Sequence, residues 1–419
     1  MKKILLLLCT GCLLLNLSCS NENDMVFPKW SDGGFLINKQ PIPEELKDKF
    51  EGVYVVESGK DRFGDTVVVK WNREHLGIFA GVHVAYLDME VGVADSAIYI
   101  QGYWRYQNAV STGLAQLIIS KDQGGRFIYG DQTVTDTTIR MIGKVGELEE
   151  DPTEDLVIRF VRPIKPEVLA RTFYFINHHG SGSAPDYLPA SENTVEVAKI
   201  IERYGANAIE IDIRPSKDGI PILYHDTGLN WRLTQKGPLV GAVENYTFAQ
   251  IQASVRLLHG EKIPSLEQFL DSVIMLTTLK MVYVDMKPTI GPFMQNAADV
   301  VTKALEKAKA RGNDIKIYLA ITTDELYTIF KSLPNYKNIS SLCELSLDQL
   351  EESGAQVWSP RWTNGFSYAD VDKVHAAGKL AVTWTVNLPG TMQEIVNGKK
   401  LDGVLTDFTS LACYYYYKQ

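Results

Sequence analysis

Hydrophobic and polar positions divide the chain into two long stretches with different periodicities. From Phe50 to about Pro163, short runs rich in Val, Ile, Tyr and Thr are separated by Gly, Asp, Asn and Ser. Such runs are typical of β-strands, and no convincing 3.6-residue period interrupts them. The stretch therefore predicts an all-β accessory domain over residues 49–165, either a sandwich or a small barrel. The segment Arg126–Asp131 is one of its predicted strands.

From Arg171 onward, apolar strand-like runs alternate with amphipathic helical runs, as in Glu192–Gly205 followed by Asn207–Pro215. Eight such units in succession predict a closed (β/α)8 TIM barrel over residues 166–419, so the whole chain is of the α/β class. The fifth strand, near Ile339–Leu345, has the weakest signal. A doubly wound open sheet is the alternative, although no GxGxxG follows the first strand.

The amino terminus predicts export rather than a part of the fold. Lys2 and Lys3 precede a Leu-rich run, Ile4–Leu17, that is too short to span a bilayer. Ser18-Cys19 at its end is similar to a bacterial lipoprotein signal, which predicts a signal peptide over residues 1–19 and lipidation of Cys19. Residues 20–48 are then a tether, and the protein is expected to be anchored to the cell envelope, on its periplasmic or surface face. Ordinary secretion is the alternative.

Composition narrows the class of partner. The chain of 419 residues is 45% hydrophobic and 22% charged, with a net charge of −9. A surface that follows nucleic-acid phosphates is usually basic, so this balance argues against a nucleic-acid partner.

Polar residues are concentrated where the predicted barrel strands end. In a TIM barrel, catalytic groups lie at the carboxyl ends of the strands. Singly, each of these short motifs is more often a salt bridge or a turn, but their recurrence at several strand ends favours an active site. The residues are His178, His179, Glu210, Asp212, Asp285, Lys287, Trp384 and Asn387.

Three of these residues are carboxylates that suit a hard cation. Glu210 and Asp212 share one face of the second strand, and Asp285 lies on the third. With no cysteine and no triple-histidine set nearby, the pattern disfavours zinc and predicts Mg²⁺ or Ca²⁺. Lys287, two residues after Asp285, supplies a point charge for a substrate phosphate.

Two histidines complete the predicted chemistry. His178 ends the first strand, and His225 follows the second apolar run after Asp212. Imidazoles titrate near neutrality, so these two are the predicted catalytic acid and base. A hard cation, a lysine and two imidazoles together indicate cleavage of a phosphodiester.

At this point the sequence resembles the glycerophosphodiester phosphodiesterase family, over the barrel from about Thr172 to Thr409. The matching segments are His178-His179-Gly180, Glu192-Asn193-Thr194, Glu210 with Asp212, Lys217-Asp218-Gly219, His225-Asp226 with Arg232, Pro264-Ser265-Leu266, Trp384-Thr385-Val386-Asn387 and Asp402-Gly403 with Thr406-Asp407. The resemblance implies metal-dependent hydrolysis of a small glycerophosphodiester to glycerol 3-phosphate and an alcohol. It also implies that His178 and His225 are the acid–base pair and that Glu210 and Asp212 bind the metal.

The sequence departs from the family pattern at two positions of the predicted site. Asp285 stands where the family usually has Glu, and Asp at this place is similar to the related sphingomyelinase D branch. His179 stands where the family has Arg, so it is either a weaker phosphate contact or a residue that packs under the site. Trp384 is predicted to contact the substrate, and the segment Ser181–Ser191 is predicted to arch over the barrel mouth.

Two alternatives to the main hypothesis stay open at this stage. One is a lipid phosphodiesterase, similar to sphingomyelinase D or to an inositol phosphodiester hydrolase, which Asp285 motivates. The other is a non-catalytic lipoprotein whose β domain binds a glycan or a lipid.

Overall fold

The computed structural model describes residues 27–31, 33–180, 188–287 and 290–419, which form two barrels packed side by side. Cys19 and the rest of the predicted signal peptide lie outside the described residues, as do residues 181–187 of the predicted cover over the barrel mouth. Within the described part of the chain, no helix has the length and apolar character needed to cross a membrane.

Residues 52–162 form a closed antiparallel barrel, here called the accessory barrel. Each strand pairs with the next, and the last pairs with the first, so the predicted choice between sandwich and small barrel falls to the barrel. Its inward side chains, among them Trp71, Leu87 and Trp104, fill the interior as one apolar core. The strands are Gly52–Ser58, Thr66–Asn72, His75–Ala80, Ala85–Ala94, Ala97–Tyr106, Thr112–Ile119, Arg140–Val145 and Glu154–Arg162.

Two predictions within this region differ from the structure. The segment Arg126–Asp131, predicted as a strand, contains instead a short helix, Gly125–Ile128. It follows Gly124, whose φ of 107° turns the chain. The described part of the predicted tether packs on the accessory barrel, because Gln40–Pro41 pairs with Gly92 and Val93 and because Leu46 is buried in the apolar core.

Residues 174–406 form a closed parallel barrel, here called the α/β barrel, which confirms the predicted fold class. Each strand pairs with the next along the chain, and the last pairs with the first. The second strand is the longest and also pairs with a short antiparallel strand, Pro221–Leu223. The eight strands are Tyr174–Asn177, Ala208–Pro215, Met281–Met286, Lys316–Ile321, Ser341–Cys343, Val357–Trp358, Leu380–Thr383 and Gly403–Thr406.

Helices surround the α/β barrel, and several begin at a serine or threonine that accepts a hydrogen bond from their first turn. Thr194 caps the first helix, and Ser265 forms a reciprocal capping box with Gln268. The longer helices are Val195–Ile200, Phe248–Ser254, Leu266–Leu276, Gly291–Ala310, Asp324–Ser332, Leu347–Ser353, Tyr368–Ala376, Pro389–Gly398 and Thr409–Tyr417. Shorter helices are Glu44–Lys47, Lys60–Phe63, Gly125–Ile128 and Pro166–Ala170.

The two barrels share one hydrophobic core. Outward side chains of the accessory barrel, including Val68, Phe79 and Tyr86, belong to the same buried cluster as the strands and helices of the α/β barrel. The C-terminal helix Thr409–Tyr417 lies in this interface, where the Tyr414 hydroxyl is 2.8 Å from Thr66 Oγ1. The accessory barrel is thereby held against the segment that follows the eighth strand.

Candidate active site

Three carboxylates from neighbouring strands converge at the carboxyl end of the α/β barrel. Glu210 and Asp212 are buried on the second strand, and Asp212 pairs in register with Asp285 of the third. One oxygen from each of the three residues lies within 4.8 Å of the others. The alternation of side chains along the two strands therefore brings together the three acids that the sequence singled out.

Lys287 lies between two of these acids. Its Nζ is 2.7 Å from Asp212 Oδ1 and 2.7 Å from Asp285 Oδ2. Burial lowers the pKa of Lys287, but Asp285, Asp212 and Glu210 outweigh it and hold that pKa well above its ordinary value. The ammonium is therefore permanently charged and points into the acidic cluster.

The charge balance of the cluster suits a divalent cation. Burial and the charge of Asp212 raise the pKa of Glu210 well above its usual range. Burial alone would raise the pKa of Asp212 too, but His179 and Lys287 hold it well below its ordinary value. Three carboxylates opposed by one ammonium leave about two negative charges in a buried site, which is costly without a counter-ion. Oxygen donors of this kind are those that Mg²⁺ and Ca²⁺ prefer.

His178 follows the first strand, and a buried carboxylate holds its ring. The Nδ1 atom lies 2.7 Å from Asp407 Oδ1, and Asn387 Nδ2 donates to Asp407 Oδ2 at 2.6 Å. A carboxylate accepts from an imidazole N–H, so Nδ1 carries the proton and Nε2 is left for chemistry. The His178 side chain lines the cavity at the barrel mouth.

His225 is held in the same way from the other side of the cluster. Its Nδ1 is 2.7 Å from Asp226 Oδ1, and Arg232 donates to both oxygens of Asp226, at 3.0 and 2.6 Å. Hydrogen bonds from Arg232 hold the pKa of Asp226 well below its ordinary value. Arg232 also reaches Glu192 Oε2 at 3.3 Å, which ties this loop to the segment that follows the first strand.

His179 lies beneath the cavity rather than in its wall. The residue is only 6% exposed, its ring stacks on that of His178 with centroids 3.5 Å apart, and its Nδ1 is 2.9 Å from Asp212 Oδ2. Burial and the neighbouring His178 lower the pKa of His179 to about 4. The geometry thus favours packing under the site over the contact with substrate phosphate that was the other interpretation.

The cavity at the barrel mouth has a volume of about 440 Å³. Trp384 lies in its wall, where its indole N–H donates to Ser359 O at 2.9 Å and Arg361 lies 5.3 Å from the ring centroid. The predicted residues His178, Glu210, Asp285, Lys287 and Trp384 all line the cavity. His225 is not among the lining residues, but its ring centroid is 5.4 Å from that of His179.

Glu344 is an acid of this cavity that the sequence analysis did not find. It follows the fifth strand, Ser341–Cys343, and accepts a hydrogen bond from the Tyr283 hydroxyl. Burial and the nearby Asp285 raise the pKa of Glu344 well above its ordinary value. The only signal for it was its place one residue after a weak strand, where an acid resembles any loop residue.

Asn193 and Asp407 were quoted in the sequence only as parts of motifs, and the structure gives both a definite contact. Asn193 Nδ2 donates to Asp212 Oδ2 at 2.8 Å, while Asn193 Oδ1 accepts from the Asp212 amide at 2.8 Å. Asp407 is the partner of His178. Both contacts join segments far apart in the chain, so spacing alone does not reveal them.

A parallel eight-stranded barrel with buried acids and carboxylate-held imidazoles at its carboxyl end defines a TIM-barrel enzyme with a hydrolytic type of site. The model of the glycerophosphoryl diester phosphodiesterase family matches residues 178–411. The chain belongs to this family and is a glycerophosphodiester phosphodiesterase. Family membership removes the non-catalytic lipoprotein as an alternative.

Individual relatives are similar over the α/β barrel. The chain is 27% identical over 234 residues to "Probable glycerophosphodiester phosphodiesterase 2" of Mycobacterium tuberculosis, a match that covers 52% of this chain and 80% of that protein. A glycerophosphodiester phosphodiesterase structure from Parabacteroides distasonis is 18% identical, with 58% of this chain and 97% of that one covered and a TM-score of 0.46. An Oleispira antarctica phosphodiesterase in complex with the product sn-glycerol-3-phosphate is 19% identical, with coverages of 59% and 97% and a TM-score of 0.45.

Proposed function

We propose that this chain hydrolyses small glycerophosphodiesters to glycerol 3-phosphate and an alcohol, in a metal-dependent reaction with histidine acid–base chemistry. The observation that carries the proposal is the convergence of Glu210, Asp212 and Asp285 to within 4.8 Å beside two imidazoles that carboxylates hold. Each part of this arrangement has a separate task in phosphodiester cleavage.

The two histidines move the protons. Because Nδ1 of His178 and of His225 is engaged by Asp407 and Asp226, the Nε2 atoms are free to exchange a proton with substrate. One imidazole deprotonates the attacking oxygen, and the other protonates the leaving alkoxide. The carboxylates fix the tautomer of each ring and stabilise the imidazolium form while it exists.

The acidic cluster and Lys287 bind the phosphate end of the substrate. Glu210, Asp212 and Asp285 would hold Mg²⁺ or Ca²⁺, which supplies positive charge against the phosphate oxygens. Lys287 adds a second positive charge at the same place and keeps Asp212 and Asp285 from repelling each other when no cation is bound. Trp384 offers a flat apolar wall for the glycerol or the alcohol.

Hydrolysis of glycerophosphocholine with Mg²⁺ or Ca²⁺, and with EDTA, tests the proposal. We expect His178→Ala, His225→Ala and Glu210→Ala each to lose at least about 100-fold in kcat. His375→Ala is the matched control, because His375 forms a similar pair with Asp402 Oδ2 at 2.8 Å, but next to the amino end of the eighth strand. Full activity of both His225→Ala and Glu210→Ala would refute the proposal.

Metal binding has a readout that does not depend on activity. We expect Mg²⁺ or Ca²⁺ to raise the melting temperature of the wild-type protein and not that of Asp285→Asn, because a ligand that binds only the folded state stabilises it. An equal shift in both proteins would argue against these carboxylates as the ligands. A substrate panel that includes intact lysolipid compares the small-diester proposal with the lipid phosphodiesterase alternative.

We also propose that the chain is exported and anchored in the bacterial cell envelope through lipidated Cys19. The Leu-rich run that precedes this cysteine supports the proposal. Wild-type protein is expected in the membrane fraction, and Cys19→Ala in the soluble fraction. Equal partitioning of the two proteins would refute the anchor.

A further inference from the structure

Gln107 is a residue of the accessory barrel that reaches into the α/β barrel beside the active site. It follows the fifth strand of the accessory barrel and is only 4% exposed. Its Nε2 donates to the backbone carbonyl of Asp407 at 3.1 Å, and its Oε1 accepts from Ser410 Oγ at 2.6 Å. A carbonyl oxygen can only accept, so the NH₂ end of the amide must face Asp407.

Asp407, which Gln107 holds, is the residue that orients His178. Its carboxylate accepts from His178 at 2.7 Å and from Asn387 at 2.6 Å, and its backbone amide donates to Asn387 Oδ1 at 3.0 Å. Asn387 thus holds the amide and the carboxylate of Asp407, while Gln107 holds its carbonyl. Together they fix the peptide from two different parts of the molecule.

Gln107 is itself held on a rigid element. Its backbone amide donates to Val84 O at 3.2 Å, and the preceding residue, Tyr106, is paired with Ala85 of the fourth accessory strand. That barrel is closed and shares a hydrophobic core with the α/β barrel. A contact from such a frame can hold a catalytic group more tightly than a contact from a free loop.

We propose that Gln107 is a positioning residue, through which the accessory barrel fixes Asp407 and thereby the ring of His178. The inference rests on the proposed function, in which His178 is one of the two acid–base groups. It gives the accessory barrel, which lies outside residues 178–411 of the family match, a part in the reaction. Gln107 is not among the described residues that line the cavity, so it affects the reacting atoms only through Asp407.

The test compares kcat and KM for glycerophosphocholine in Gln107→Leu and Gln107→Glu. Leucine removes both hydrogen bonds, and glutamate keeps the shape and the acceptor for Ser410 but sets a carboxylate against the carbonyl oxygen. We expect kcat to fall about 10-fold in both, with KM within about twofold of the wild type, because a displaced acid–base group slows the chemical step. Ser410→Ala keeps the donor to Asp407 and is expected to retain kcat within about twofold.

A matched control separates positioning from general weakening of the interface. Thr66→Val removes the 2.8 Å contact with Tyr414 in the same interface but does not touch Asp407, and we expect it to keep wild-type kcat. The second readout is the downfield NMR signal of the His178 Nδ1 proton, which should broaden by faster exchange in both Gln107 variants and stay unchanged in Thr66→Val.

Three results would overturn the inference. They are wild-type kcat in a Gln107 variant, an equal loss of kcat in Thr66→Val, or an unchanged proton signal in the Gln107 variants. If Gln107→Leu fails to fold, the isosteric Gln107→Glu decides. An active wild type, an inactive His178→Ala and an unaffected Gln107 variant would reject this inference alone, whereas a fully active His178→Ala would reject the proposed function.

Discussion

Three histidines lie in one small region, and burial assigns them different tasks. Each has Nδ1 close to a carboxylate, so hydrogen bonding does not distinguish them. His179 is the most deeply buried, and because burial lowers its pKa to about 4 it stays neutral in the physiological range. His178 and His225 retain exposed side-chain surface, at 26% and 37%, which a proton-transfer group requires. The family's Arg at the position of His179 would instead carry a permanent charge.

Glu192 makes stability depend on pH. Burial raises the pKa of Glu192 to about 7, and its Oε1 is buried without a hydrogen-bond partner among the described residues. A carboxyl with a raised folded-state pKa contributes stability that is fully present below its unfolded pKa and is lost as the pH rises through the folded value. We therefore expect this residue to lower the free energy of unfolding by about 3 kcal/mol between about pH 4.5 and pH 7.

Glu192→Gln, which cannot ionise, should remove that part of the pH dependence. Urea denaturation at pH 5 and pH 8 measures the difference for the wild type and the variant. The glutamine still accepts from Arg232, so the loop geometry is retained. Equal pH slopes for the two proteins would show that Glu192 ionises normally in the folded state.

At the scale of elements, alternation along strands predicted most of the fold and the centre of the site. The register that sets Asp212 beside Asp285 follows from two strands whose polar residues share a face. Glu344 was missed because its strand is only three residues long, too short to show a period. The helix Gly125–Ile128 was missed because its few apolar residues fit a strand equally well, and the glycine that turns the chain has no strong sequence signature. Contacts between distant segments, such as that of Gln107 with Asp407, leave no local pattern.

The turn after the first strand depends on Gly180. Its φ is +88°, and a Cβ at this position would lie 2.3 Å from Val197 Cγ1 of the first helix. Both the backbone conformation and the space exclude a side chain. Gly180→Ala should lower the free energy of unfolding by about 2–4 kcal/mol and reduce kcat, because the strain falls next to His178 and His179.

Gly378→Ala is the control for this substitution. Gly378 has a φ of +71°, but a Cβ added there would meet no described atom within 4 Å. Only the backbone cost of about 1 kcal/mol is therefore expected, with kcat unchanged. Denaturant unfolding and a diester assay on both variants give the comparison. Equal losses of stability would mean that Val197 yields without cost.

At the scale of the whole molecule, the two barrels are one packing unit. Neither barrel buries the outer faces of Val68, Phe79 and Tyr86 by itself, because these side chains belong to the core shared with the α/β barrel. Polar contacts reinforce this interface, such as Arg73 with Glu202 at 3.1 Å and Tyr103 with Tyr204 at 3.0 Å. An interface that is this apolar and continuous with the core opposes independent motion of the barrels.

The shared core predicts that the full chain unfolds in a single cooperative transition. Phe79 is fully buried, and its ring is next to Gly205 of the α/β barrel, whereas its neighbour Ile78 points into the accessory barrel. We expect Phe79→Ala to lower the free energy of unfolding by about 3–5 kcal/mol and Ile78→Ala by about 2–5 kcal/mol. In calorimetry, both variants should shift the one transition without splitting it, since each cavity weakens a unit that includes both barrels. Two transitions, with Ile78→Ala moving only one of them, would show instead that the accessory barrel folds independently and that its contact with Asp407 is made after folding.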